Sequence, residues 1–587
     1  MAVERSTTDF ERVSRLKGAV FEYLALSASV VGIVALAVLL IYVVVDALDL
    51  SNASPEWLLA FFLTLVLPFI GFCLYSANDR KLTRRSVLAL GGGVVATAVP
   101  FSAFEAVVRP VPRLTWQLVY LFVVVVPVSA TVAFVGSQRP VGRIGFGLLG
   151  RLVGGVALGL ALIVLFVVFD ARLWFLAYTL GFFPALGVLA YGRSRPASPA
   201  TLLAVPIAVV GVVAAVLLRG PVDVYPTTWA IYVWTFAIPI SAAIVALTAP
   251  RDGVRIAVVS AGLTFVLAVG GSLVAGFVGV SPASALLVLL TTGVPTIAYG
   301  RRALEAGNGR IGLALPVLLV AGALLGSLLI ETMGVPAPDP WLDPSYLTNS
   351  PSRFPREAGL YPAIVGSILV IALVAALSFV LGVGSAVFLE EYTVDSGLVA
   401  TVTRLIQINV ANLAAVPSVV YGLLGLGLFA NLLGLGFGSV ITAALTLSLL
   451  ILPITVISAQ EAIRAVPDSQ RQASYGMGAT RWQTTKNVVL PEALPGILTG
   501  TILALGRAIG ETAPLLMIGA ATTVFSPPNG IWSKVSAMTM QLYAWANFPQ
   551  AEFRYGVLAA GVVTLLIVLL GMNATAIILR NTFERGP

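Results

Sequence analysis

Long apolar runs constrain this chain more than any other feature. They recur throughout its 587 residues, separated by short polar loops. A run of about 20 apolar residues is long enough to cross the hydrocarbon of a bilayer as a helix. In lipid every backbone amide and carbonyl needs a partner, and a helix supplies all of them within one segment. Sixteen runs stand out, roughly at 21–45, 57–76, 87–108, 117–136, 149–169, 173–192, 200–218, 229–248, 256–279, 281–299, 311–331, 361–389, 409–430, 438–459, 495–519 and 555–579. The chain reads as an all-α polytopic membrane protein. Its charged fraction is 10%, against about 25% in soluble domains. The first run, Phe21 to Val45, is too long for a signal peptide and has no small-residue cleavage site after it.

The loops predict the orientation. With a cytoplasmic N-terminus, most Lys and Arg fall on the inside, including Arg80, Lys81, Arg84, Arg85, Arg193, Arg195, Arg301 and Arg302. The outside loops carry Asp46, Asp49, Glu56, Asp339 and Asp343. This is the positive-inside asymmetry, and it predicts that both termini are cytoplasmic. The net charge of +8 sits in those loops, so no nucleic-acid partner is expected. With Cys73 the one cysteine and no histidine, disulfide frameworks, Cys or His metal sites and His catalysis are excluded.

The region 1–305, about ten spans, shows an internal repeat. Pro68, Pro127, Pro184, Pro239 and Pro295 recur at intervals of 59, 57, 55 and 56, each in a span that runs into a basic loop. "FPALGVLAYGRSRP" pairs with "VPTIAYGRR", and "GRIGFGLLG" with "GRIGLALPV". The period is that of one helical hairpin, which argues duplication, although any array of proline-bearing hairpins has this look. Glu105, near an outer end, is the exception in spans almost free of charge. A polar-solute pathway usually shows buried ionisable groups, so this half makes a poor transporter by itself.

The region 306–587, with six spans, carries a polar loop at 460–493. Its centre is "QASYGMGATRWQTTKNVVLP", Gln472 to Pro491. Ser469 with Gln472, and Thr480 with Gln483, have capping-box spacing, which predicts two short helices. Gly478 permits a positive-φ turn between them, and Pro491 should end the second. The spacing is Gln472-Ala473-Ser474, three residues, Gly478, nine residues, Val488, one residue, Leu490-Pro491. It resembles the "EAA" loop of ABC-importer permeases, with Gln472 where that family usually has Glu. The resemblance implies a coupling helix that docks in a groove on an ATPase subunit, with Ala479 and Thr480 in the same loop. A Glu salt bridge to that ATPase would be lost.

The resemblance spans roughly Tyr361 to Arg585. "NVANLAAVPSVVYGLLGLGLF", "LALGRAIGETAPLLMIGA" and the lead-in "LTNSPSRFPREAGLYPAIVGS" look like the phosphate-specific permease family, and "TAPLL" after "RAIGE" points to its PstA-type subunit. It implies a type I ABC-importer permease core of six spans. The first is either 311–331 or 21–45, and adjacency in the chain favours 311–331. It also implies no catalysis in this chain, which lacks a Walker A sequence. ATP and Mg would be held by ATPase subunits, beside a second permease subunit and an external phosphate-binding protein. Molybdate, sulfate or tungstate are alternative cargoes. A membrane enzyme or ion-coupled secondary transporter is the alternative of another class.

Arg507 lies twelve residues after Pro495, about 18 Å into a hydrocarbon core of about 30 Å. Glu511 follows on the same helical face. The pair either ties helices together or presents a forked donor to a tetrahedral oxyanion. The family motif favours the second reading. Thr512, Asn409, Asn412 and Ser418 are candidates for the same pathway or for helix packing, with Pro417 beside them. The glycines of "GLLGLGLF" suit close helix approach. Lys534, Trp532, Tyr543 and Trp545 should lie outside, as an interfacial belt or docking surface.

Overall fold

A computed structural model describes residues 15–108, 112–168, 170–194, 200–278, 280–393 and 397–584. Arg195, Arg585 and both chain termini lie outside these. The first helices are α1 (Arg15–Ala47), α2 (Pro55–Ala77), α3 (Arg80–Val107), α4 (Arg113–Ser137), α5 (Pro140–Val168), α6 (Ala171–Gly192), α7 (Ala200–Leu218, a shorter apolar helix), α8 (Thr228–Pro250), α9 (Val254–Ala275), α10 (Pro282–Ala306) and α11 (Arg310–Met333). After them come α12 (Tyr361–Glu391), α13 (Gly397–Ala414), α14 (Ser418–Leu432), α15 (Val440–Arg464), α16 (Asp468–Gly476), α17 (Arg481–Ile509), α18 (Ala513–Met517), α19 (Met538–Ala546) and α20 (Phe553–Ala574). Among the described residues, fourteen helices are long and apolar enough to cross a membrane.

The run at 409–430 departs from expectation. Instead of one span it forms two helices, Ala400–Ala414 and Ser418–Leu432, bent by 108°. Pro417 has no N–H to donate and disfavours the helical conformation of the residue before it. The Tyr421 hydroxyl braces the bend by donating to Leu413 O at 2.8 Å.

Four repeat prolines share a local solution. Five-residue π-helical segments at Phe62–Val66, Leu121–Val125, Tyr178–Phe182 and Val233–Ala237 each end two residues before Pro68, Pro127, Pro184 and Pro239. A proline inside an α-helix clashes with the carbonyl four residues back. One i→i−5 turn displaces that carbonyl and lets the helix continue. Pro295 sits inside α10 as an ordinary internal proline, so the fifth repeat unit differs.

Packing divides the chain at a place other than residue 305. The Ala47 carbonyl at the end of α1 accepts from Trp341 N at 3.0 Å and Leu342 N at 3.1 Å. The chain thus leaves the C-terminal helices at Ala47 and rejoins them at Trp341. α1 packs on α20, whereas α11 packs on α2 and α5 among the N-terminal hairpins. The helix that completes the C-terminal bundle is therefore 21–45, and the adjacency that favoured 311–331 does not carry into packing. The hairpins touch the bundle again where α5 meets α12 and α20.

Lipid tails are as apolar as leucine, so close backbone approach and dispersion hold such helices together. α12 and α15 form the centre of the bundle. A Cβ on Gly422 would lie 2.8 Å from Pro514 Cα, and one on Gly425 would collide with Thr446. These two glycines allow close approach, while Gly427 faces open space. Trp545 is 1% exposed, against Tyr346 and Phe553. It is a core residue and not part of an outer belt, because α19 folds back into the bundle. Trp532 and Tyr543 are exposed.

Candidate functional site

The polar loop is built as a rigid elbow. α15 ends at Arg464 and Pro467 opens α16. Gly478 has φ +85°, donates to Tyr475 O at 2.9 Å, and is followed by Ala479 N donating to Ser474 O at 3.2 Å. These two bonds form a Schellman motif, which needs a left-handed residue at Gly478. Thr480 Oγ1 then accepts from Gln483 N at 3.3 Å, and Thr480 N donates to Gln483 Oε1 at 2.8 Å. That is the second capping box. The first does not form, since α16 starts at Asp468 with Pro467 as cap and no side-chain cap bond. Gln472 is left exposed beside Ala473, Tyr475, Met477 and Trp482.

Inside the elbow, Ser474 and Thr484 are buried and share a hydrogen bond of 2.8 Å that holds α16 against α17. Arg471 anchors the elbow to the bundle. Its guanidinium meets Glu391 Oε1 at 3.1 Å, Ile463 O at 2.8 Å and Val466 O at 2.5 Å. One turn away, Arg464 donates twice to Glu390 at 2.7 and 2.8 Å, and Gln460 Nε2 adds a third bond at 2.7 Å. Sequence reasoning missed Glu390 and Glu391. The available signal was an acidic doublet closing an apolar span, with Arg464 and Arg471 seven residues apart.

The second loop helix does not end at Pro491. A π-turn at Thr485–Val489 precedes Leu490-Pro491, and the helix continues to Ile509. This is the device found ahead of the four repeat prolines. Val489 is buried in a cluster with Ile463, Val466 and Ile497, with Leu490 packed against it, whereas Pro491 is exposed.

At the far end of α17, Arg507 Nε donates to Glu511 Oε1 at 3.3 Å. The helix stops at Gly510, so the pair sits at a break rather than mid-helix. The Arg507 side chain is 45% exposed and that of Glu511 15%. The guanidinium therefore keeps donors free while one carboxylate orients it. The α13–α14 bend approaches the pair through α14, where Gly422, beside Tyr421, packs against Pro514 of α18. Tyr421 was also missed. Thr512 caps α18 through its backbone, with Thr512 O accepting from Leu516 N at 3.0 Å. Ser418 opens α14, half-buried. Asn409 donates to Leu405 O of its own helix at 2.8 Å, and Asn412 is exposed. Asn409 is thus spent on its own backbone, and no contact joins either asparagine to Arg507 among the described residues.

Residues 396–584 match the model of the family described as "Binding-protein-dependent transport system inner membrane component". The phosphate transport system permease protein PstA 1 of Mycobacterium tuberculosis is 33% identical over 236 residues, 40% of this chain and 74% of that one. The probable ABC transporter permease protein YqgI of Bacillus subtilis is 36% identical over 178 residues, 30% of this chain, which spans 59% of YqgI. An inward-facing structure of the MetNI methionine ABC transporter aligns with 38% of this chain and 98% of its own, at 19% identity and TM-score 0.32. The chain belongs to the binding-protein-dependent transport system inner membrane components. It is a multi-pass membrane component of that kind.

Proposed function

We propose that this chain is the PstA-type transmembrane subunit of an ATP-driven phosphate importer. It receives phosphate from an external binding protein and passes it to the cytoplasm, beside a second permease subunit and two ATPase subunits that hold ATP and Mg. The observation that carries the reading is the continuity of α17. One helix joins the Thr480 elbow to Arg507, 27 residues away and about 40 Å at 1.5 Å per residue.

The exposed Tyr475, Met477 and Trp482 suit insertion into a groove of an ATPase, with the elbow on the cytoplasmic side that the basic loops favour. Closure of the ATPases on ATP then moves α16, and Arg471 and the Ser474–Thr484 bond carry that motion into α15 and α17. Arg507 rides on the same helix. Its planar fork suits two oxygens of a tetrahedral anion, and Glu511 keeps the fork oriented and limits how tightly the anion is held. Phosphate is favoured over molybdate, sulfate or tungstate by the likeness to PstA proteins.

The test is uptake of labelled phosphate into vesicles holding the assembled complex, with ATPase activity recorded in parallel. With Arg507 45% exposed, the pair contributes about 0–1 kcal/mol to folding, as exposed pairs do. Arg507→Met with Glu511→Leu should therefore assemble and bind the ATPase yet fail to carry phosphate. Arg507→Lys should transport poorly, since a point charge cannot replace the fork. Near-normal uptake by the double variant reduces the pair to a structural tie. Stronger competition by sulfate, molybdate or tungstate than by phosphate reassigns the cargo.

A further inference from the structure

The N-terminal hairpins contain a polar cavity of about 540 Å³ that the transport reading leaves unused. It lies where α2 begins, α3 ends and α4 begins, at the end of these helices opposite the α2–α3 turn at Asn78 and Asp79. Its walls carry Glu56, Glu105, Arg113, Trp116, Phe101 and Gln117. Among the described residues, neither carboxylate forms an ion pair with Arg113, although all three charges line one space.

These walls disagree in sign in an informative way. A simple cation would be drawn by Glu56 and Glu105 but repelled by Arg113. A simple anion would meet the reverse. A short zwitterion satisfies both, with an ammonium against the carboxylates and an oxyanion on the Arg113 fork. The aromatic side chains of Trp116 and Phe101 line the same space, and an aromatic ring can favour a cationic group. The volume lies within the range of small-molecule sites, about 300–1,000 Å³. We propose that this cavity binds a zwitterion of the aminoethyl-phosphate type, either as a lipid headgroup or as a free solute.

The experiment uses the purified full chain, stripped of lipid. Calorimetry with O-phosphoethanolamine reports the free solute. Native mass spectrometry after incubation with vesicles of phosphatidylethanolamine or phosphatidylglycerol reports the lipid. The proposal expects saturable binding of phosphoethanolamine or selective retention of phosphatidylethanolamine. Ethanolamine alone and phosphate alone should bind at least tenfold more weakly than phosphoethanolamine. Glu56→Gln with Glu105→Gln, and separately Arg113→Met, should each weaken binding of the successful probe about tenfold, the loss of one good charge-assisted contact. All three side chains are exposed, so folding should survive, and thermal unfolding checks this. Absence of binding by both probes overturns the proposal. So does binding indifferent to these substitutions, equal binding of ethanolamine or phosphate, or equal retention of both lipids.

Discussion

The two halves of the molecule solve membrane packing differently. In the bundle, 67% of the apolar window of α15 and 44% of that of α12 is buried, whereas none of the spans α2–α6 and α8–α11 exceeds 28%. The two central helices of the bundle are the most enclosed by protein, whereas the hairpins leave most of each span uncovered. Charge follows the same division. Glu391 and Arg471 are 7% and 16% exposed in a network that reaches two carbonyls. The hairpins' Asp170 and Arg219 form a rim pair, 33% and 57% exposed. A buried network at one end of a densely packed bundle can carry a displacement across it. A loosely buried array can bind or brace but transmits little.

The largest effect that tests this contrast comes from breaking one side of each pair. Removing one partner of a buried pair costs about 3–5 kcal/mol, because the other charge is left without compensation. Glu391→Leu should reach that range and uncouple ATPase association from transport. Asp170→Ala should cost about 0–1 kcal/mol, as for exposed pairs. Thermal unfolding of the two variants in one detergent gives the comparison. Equal losses would mean that burial does not distinguish the halves.

A smaller effect is expected at the elbow. A Cβ on Gly478 would meet nothing within 4 Å, so only its φ of +85° opposes substitution. Gly478→Val should add about 1–3 kcal/mol of local strain and misalign α16 with α17. ATPase binding and uptake should fall while membrane insertion stays normal. Gly478→Asn should be milder, since Asn tolerates this region best after Gly. If Gly478→Val assembles and transports like the parent, the elbow is not the docking element.

The elbow was legible because its signals are local. The Thr480–Gln483 spacing and a glycine at the turn determine backbone geometry within four residues. Apolar runs were legible for the same reason. What escaped the sequence depends on compensation or on distance. Pro491 reads as a stop, yet one π-turn lets α17 pass it. Pro417 reads as tolerable within a span, yet there the helix breaks. Ser469 lost the cap because Pro467 starts the helix earlier. Trp545 resembles a belt residue until α19 folds inward, and Glu391 gains meaning only when Arg471, 80 residues away, reaches it.

The smallest effect sharpens where one half ends and the other begins. Ala47 and Trp341 are hydrogen-bonded neighbours, so the intervening segment begins and ends at one point on the bundle. Excision between two such points removes a unit without pulling the remainder apart. Deleting residues 50–334 removes α2 through α11 and leaves α1 on α20. Deleting residues 50–305 keeps α11 but removes α2 and α5, against which α11 packs. The longer deletion should therefore insert better and transport more than the shorter one. Its uptake should also fall less than that of Gly478→Val, because the elbow, α17 and Arg507 all remain. The losses it does cause should trace to α5, whose contacts with α12 and α20 disappear. Uptake by both truncations, normalised to inserted protein, provides the measurement. Better transport by the shorter deletion would return α11 to the bundle. Complete loss in both, with normal insertion, would make the hairpins part of the transport machinery.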